Sequence, residues 1–112
     1  MIDSVKVGNN IEVVSFKDTD KFNALIADEA RETLVKLFDT PNAKVIINLS
    51  GIKYIDSSGF GCFLSTMKAS RNNYGIMKIC GLSPDVKKLF MNLQLHTIFE
   101  LFDELDSCIK SF

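Results

Sequence analysis

The feature that most narrows what this chain can fold into is a hydrophobic period that switches repeatedly along it. Val45-Ile46-Ile47-Asn48-Leu49 is a short β-branched run, the pattern of a strand buried on both faces. Before it, Phe22, Leu25, Ile26, Ala30, Leu34, Leu37 and Phe38 recur every three or four residues, which is the stripe of an amphipathic helix. After it, Phe60, Phe63, Leu64, Met67 and Arg71 follow helical spacing, Ile76 to Cys80 reads as a strand, and Val86, Leu89, Phe90 and Leu93 form another helical stripe. Ile98 to Leu101 reads as a short strand, and Phe102, Leu105, Cys108, Ile109 and Phe112 mark a last helix. At the start, Val5 to Val7 and Ile11 to Phe16 flank Gly8-Asn9-Asn10, residues that tolerate positive φ and predict a hairpin turn. Strand and helix alternate through the middle. That order predicts an α/β domain with a mixed, mainly parallel sheet of four to five strands and about four helices.

The punctuation agrees. Asp39-Thr40-Pro41-Asn42 ends the first helix, and Asn72-Asn73-Tyr74-Gly75 closes the second with residues that accept left-handed geometry. Ser83-Pro84-Asp85 starts the third: a serine cap, a proline at the first helical position and an acid in the first turn. With two prolines, both at element boundaries, and no repeat or low-complexity stretch, the 112 residues read as one domain over 1–112. A chain this long buries roughly two-thirds of its unfolded surface, enough for one core without staples.

Charge excludes some partners. Thirteen basic and fourteen acidic side chains leave a formal net charge of -1 with the signs interspersed. That is unlike the basic stripe of a nucleic-acid protein or a polybasic membrane binder. No apolar run approaches the ~18 residues of a membrane span, and Met1-Ile2-Asp3-Ser4 lacks the basic and apolar segments of a secretory signal. Cys62, Cys80 and Cys108 are widely spaced among apolar residues and read as buried free thiols in a reducing compartment. Together these features predict a cytoplasmic protein without a structural metal.

The stretch Asn48 to Gly61 carries the chemistry. A buried strand leads into Asp56-Ser57-Ser58-Gly59-Phe60-Gly61 and directly into a helix. First-turn amides point outward without intrahelical partners, and the helix dipole favours negative charge there. Ser57 and Ser58 therefore have two readings, as helix caps or as a place for a phosphate. Phe60 is either core or an apolar contact beside the serines.

Val45 to Gly61, with its D-S-S-G-[hydrophobic]-G loop, resembles the signature of STAS domains, in particular bacterial anti-sigma factor antagonists of the SpoIIAA type. Ser83-Pro84-Asp85-Val86-Lys87-Lys88-Leu89-Phe90 resembles that family's S-P-x-V-x-[KR]-[ILV]-[FL] helix, so the likeness covers nearly the whole chain. The resemblance implies a single STAS domain that binds an anti-sigma factor which is also a serine kinase. It implies phosphorylation at Ser57, loss of partner binding on phosphorylation, and a phosphatase that resets the switch. Asp56, Ser58, Gly59, Phe60 and Asn23 are then the switch surface, with Ser58 as the helix cap. Family members often carry G-x-[FIL]-D where this chain has Asp20-Lys21-Phe22-Asn23. Asn23 keeps the size of the aspartate but not its charge, and from its residue type alone it reads as a helix cap.

Other classes fit less well. His96 is the only histidine and lies far from the serines in sequence, and no G-x-S-x-G elbow, dinucleotide fingerprint or P-loop occurs. The reading is a regulatory binding protein, not an enzyme, with no cofactor and no direct nucleic-acid contact. The alternatives are a non-phosphorylated STAS scaffold in a lipid-transport or signalling complex, or a STAS module with weak nucleotide binding.

Overall fold

A computed structural model describes all residues, 1–112. Strands β1 (Ile2–Val7) and β2 (Ile11–Phe16) form the expected hairpin, with Gly8 and Asn10 both at positive φ in its turn. The short β3 (Lys21–Phe22) leads into α1 (Ala24–Leu37), then β4 (Lys44–Asn48), β5 (Tyr54–Ile55) and α2 (Ser57–Asn72). The chain continues through β6 (Ile76–Cys80), α3 (Pro84–Asn92), a 3-10 turn at Leu95–Thr97, β7 (Glu100–Phe102) and α4 (Leu105–Lys110). The main sheet has five strands in the order β1-β2-β4-β6-β7, antiparallel only between β1 and β2. This is the mixed, mainly parallel sheet expected from the alternating periods.

Three details depart from the sequence reading. Phe22 does not begin the first helix: it lies in β3, which pairs in parallel with β5, Lys21 opposite Tyr54 and Phe22 opposite Ile55. Leu25 is not part of the buried stripe, because α1 packs along Ala27, Ala30 and Leu34 and leaves Leu25 84% exposed on the opposite side. The last strand starts two residues later than expected, at Glu100.

Parallel crossovers that advance β2 to β4 to β6 to β7 put α1, α2 and α3 on one face of the sheet. The core there includes a run of phenylalanines, edge-packed except for the tilted Phe22–Phe63 pair. Phe16 meets Phe22 at 4.9 Å, Phe22 meets Phe63 at 5.0 Å, Phe60 meets Phe90 at 5.2 Å and Phe90 meets Phe99 at 6.1 Å. Edge-to-face rings of this kind add about 0.5–1.5 kcal/mol per pair beyond burial.

The other face is covered by α4 over Ile11, Val13, Ile46 and Cys80. Lys78 is buried there at the centre of β6. Its charge is fully engaged: Nζ donates to Ser111 Oγ at 2.8 Å and to the Ser111 carbonyl at 3.1 Å, lies 3.5 Å from Glu100, and sits 4.4 Å from the Phe112 ring centroid. A buried cation without such partners would cost several kcal/mol, so Lys78 ties the C-terminal helix to the sheet. All three cysteines are buried. Burial pushes the Cys62 thiol up to about 11. A hydrogen bond with Cys108, together with burial, pushes Cys80 up as well.

Candidate functional site

The site is built at the carboxyl ends of the strands by one short pairing. Asp20 accepts from the N–H groups of Lys53 at 2.7 Å and Tyr54 at 3.3 Å, and Phe22 accepts from the N–H of Asp56 at 3.2 Å. This parallel register brings the residue after Phe22 beside the residue after Ile55. Those residues are Asn23 and Asp56, and each caps a helix. Asn23 accepts from the N–H of Ile26 at 3.4 Å and so opens α1. Asp56 Oδ1 accepts from the N–H of Gly59 at 3.2 Å and so opens α2.

The cap of α2 is therefore Asp56 and not Ser58. The physical reason is backbone geometry: Asp56 is extended (φ -93°, ψ -177°), whereas Ser57 and Ser58 already belong to the helix. Both serine hydroxyls are thereby released from capping. Ser57 is exposed at the first helical position and Ser58 is half-buried at the second. No side chain is hydrogen-bonded to Ser57; the carboxylate at this helix start, Asp56, is engaged with the Gly59 N–H.

Gly59 and Phe60, expected on the switch surface, lie beneath it. Phe60 is 7% exposed and stacks edge-on against Phe90. A Cβ at Gly59 would stand 2.6 Å from Ile55 Cγ2 and 2.7 Å from Phe22 Cδ1. The first turn of α2 can thus press directly onto the β3–β5 pair. Gly59 and Phe60 fix where Ser57 is held and present no side chain to a partner. Gly61, in contrast, has open space above it.

Sequence reasoning missed two neighbours. Leu25, two residues past the Asn23 cap, is 84% exposed, and Tyr54, two residues before the Asp56 cap, is 52% exposed. Singly exposed apolar side chains are ordinary on a protein surface, and what sets these two apart is their place in sequence beside the two caps. The β3–β5 pairing that exposes both has no period of its own to betray it.

The structure holds no enclosed cavity near Ser57. Its largest cleft, about 460 Å³, is lined by Lys6, Glu12, Lys36 and Lys44 beside the hairpin turn and the start of β4. That is the opposite end of the sheet from the motif. No group of three or more His, Cys, Asp or Glu side chains is arranged to hold a metal ion. No helix is long and apolar enough to cross a membrane.

Comparison with known proteins agrees with the geometry. The family profile described as the STAS domain matches residues 7–108. The anti-sigma-B factor antagonist of Staphylococcus epidermidis is 31% identical over 86 residues, which span 77% of this chain and 69% of that protein. Two solved structures share the fold. An anti-sigma-factor antagonist (STAS) domain protein from Planctomyces limnophilus superposes with a TM-score of 0.84 at 15% identity, covering 98% of this chain and 96% of that one. The Bacillus cell fate determinant SpoIIAA in its phosphorylated form gives a TM-score of 0.74 at 18% identity, covering 99% and 98%. A profile match over nearly the whole chain, the matching topology and the D-S-S-G loop at the start of α2 lead to one assignment: the chain belongs to the STAS domain family.

Proposed function

We propose that this protein is an anti-sigma factor antagonist that binds a cognate anti-sigma factor through the surface around the α2 N-terminus. In this reading the anti-sigma factor is itself a serine kinase, phosphorylation of Ser57 ends the interaction, and a phosphatase restores it. The observation that carries the reading is the position of Ser57. It is exposed at the first turn of α2, with the capping duty taken by Asp56. The names of the curated relatives support the antagonist role, and SpoIIAA is known in unphosphorylated and phosphorylated forms.

No side-chain hydrogen bond activates Ser57 in the free domain, so in this reading the kinase partner supplies the base for phosphoryl transfer. The phosphate adds about -1.5 to -2 charges at neutral pH. The helix dipole accommodates that charge, and the added group stands in solvent because Ser57 is exposed. The domain stays folded while its surface changes. At a complementary interface a few kcal/mol of repulsion and desolvation lowers affinity about a hundredfold or more.

The neutral cap Asn23 favours a second reading, a scaffold that is never phosphorylated. Incubation with the cognate anti-sigma factor and ATP, followed by intact-mass measurement, separates the two. The switch requires one phosphate that disappears in Ser57→Ala, and an unmodified chain under these conditions supports the scaffold.

A further inference from the structure

We propose that the solvent face of α2 beyond Ser57 is the partner's docking track, and that it takes an acidic segment bearing one bulky apolar residue. The inference rests on the antagonist reading above and names the chemistry of the partner surface.

At 100° per residue, Ser57, Gly61, Leu64, Lys68 and Arg71 fall within about 40° of one line along the helix. Ser57, Leu64, Lys68 and Arg71 are exposed, and Gly61 is open above its Cα. The opposite face, with Gly59, Cys62, Phe63, Thr66 and Ser70, is buried. The switch serine and this stripe therefore share one surface.

The stripe borders a groove. A cleft of about 390 Å³ runs between Leu64, Met67, Lys68 and Arg71 on α2 and Thr97 and Ile98 after the 3-10 turn. A second of about 240 Å³ shares Met67, Arg71 and Ile98 and continues to Ile76. Leu64, Ile98 and Ile76 are each 42% exposed, so the groove has an apolar floor open to water.

Charge decides the occupant. The α2 sequence contains no acidic residue. The structure's ion pairs join Lys17 to Asp3, Arg31 to Asp28, Lys78 to Glu100 and Lys87 to Asp103, and leave Lys68 and Arg71 without partners. The one acid on the groove, Glu100, is held by Lys78 at 3.5 Å. The rim offers two free cations over an apolar floor, complementary to carboxylates flanking an apolar anchor. The small residues Ser57 and Gly61 let such a segment lie close to the helix N-terminus. A phosphate on Ser57 would then meet a partner of its own sign, which accounts for rejection of the modified form.

The test is calorimetric titration of the full chain with its cognate anti-sigma factor. The double variant Lys68→Glu with Arg71→Glu is expected to weaken binding at least about tenfold, and Leu64→Asp by a similar factor. The milder Lys68→Ala with Arg71→Ala should flatten the salt dependence of affinity. Lys36→Glu, at the other end of the molecule, should bind as wild type. If Ser57→Asp abolishes binding while the α2 variants bind as tightly as wild type, the docking track is wrong and the antagonist reading stands. If the wild-type chain binds no anti-sigma factor, both fall. A concentration-dependent dimer that Leu64→Asp dissolves would assign the groove to a second copy and overturn the proposal.

Discussion

The carboxylate of Asp56 accepts a hydrogen bond from the N–H of Gly59 at 3.2 Å, and this single cap sets the environment of Ser57. It caps the helix from the residue before the serine, so that Ser57 opens the first turn with its hydroxyl in solvent. It also places a negative charge beside the site, so a phosphate there is added to an acid already present.

Removing the cap has a measurable cost. Asp56→Ala should destabilise the domain by about 1 kcal/mol, and Asp56→Asn by only a few tenths. Ser58→Ala should fall within about 0.5 kcal/mol of wild type, as expected for a half-buried side chain that makes no cap and no side-chain hydrogen bond. Urea denaturation of the three variants checks the order. A larger loss at Ser58 would return the cap to the serine.

The two glycines of the motif should respond in opposite directions. A methyl at Gly59 would collide with Ile55 and Phe22, so Gly59→Ala should cost about 1–3 kcal/mol through overpacking. Gly61 is helical with free space above it, so Gly61→Ala should stabilise by about 0.5–1 kcal/mol. Thermal unfolding of both variants would show melting temperatures on either side of wild type.

These residues also mark how far the sequence could be read. The alternation of β-branched runs and helical stripes is visible without a structure, because each period reports one burial pattern. The pairing of Phe22 with Ile55 is not visible: two-residue strands have no period, and the contact spans more than thirty positions. Phe22 consequently joins a helical stripe on spacing alone, and Leu25 joins it as a buried residue. The cap falls on Asp56 rather than on Ser58 for a different reason: aspartate and serine are nearly equal caps, and only backbone angles separate them. Ser57 itself stood out from the loop's residue types. The placement of Asn23 beside the Asp56 cap depends on the β3–β5 register, and the α2 track becomes apparent only once Ile98 is placed across from Leu64.

The buried thiols give a pH dependence with a defined sign. The Cys62 thiol rises from an ordinary 9.0 to about 11 when folded. Above about pH 9 the unfolded chain therefore loses this proton first, and stability falls by about 1.4 kcal/mol per pH unit until the folded thiol ionises near pH 11. Below pH 9 both states keep the proton and the contribution is flat. Chemical denaturation across this window should show the slope, and Cys62→Ala should remove its share. An unchanged slope in that variant would place the titration elsewhere.

The antagonist reading stands or falls with Ser57. The most direct measurement is the affinity of the cognate anti-sigma factor for the unmodified chain and for the same chain after kinase treatment, with site occupancy fixed by mass spectrometry. The expected result is one phosphate on Ser57 and a loss of affinity of about a hundredfold or more, with the circular dichroism spectrum unchanged. Equal affinity of the two forms, or a phosphate that persists in Ser57→Ala, would contradict it.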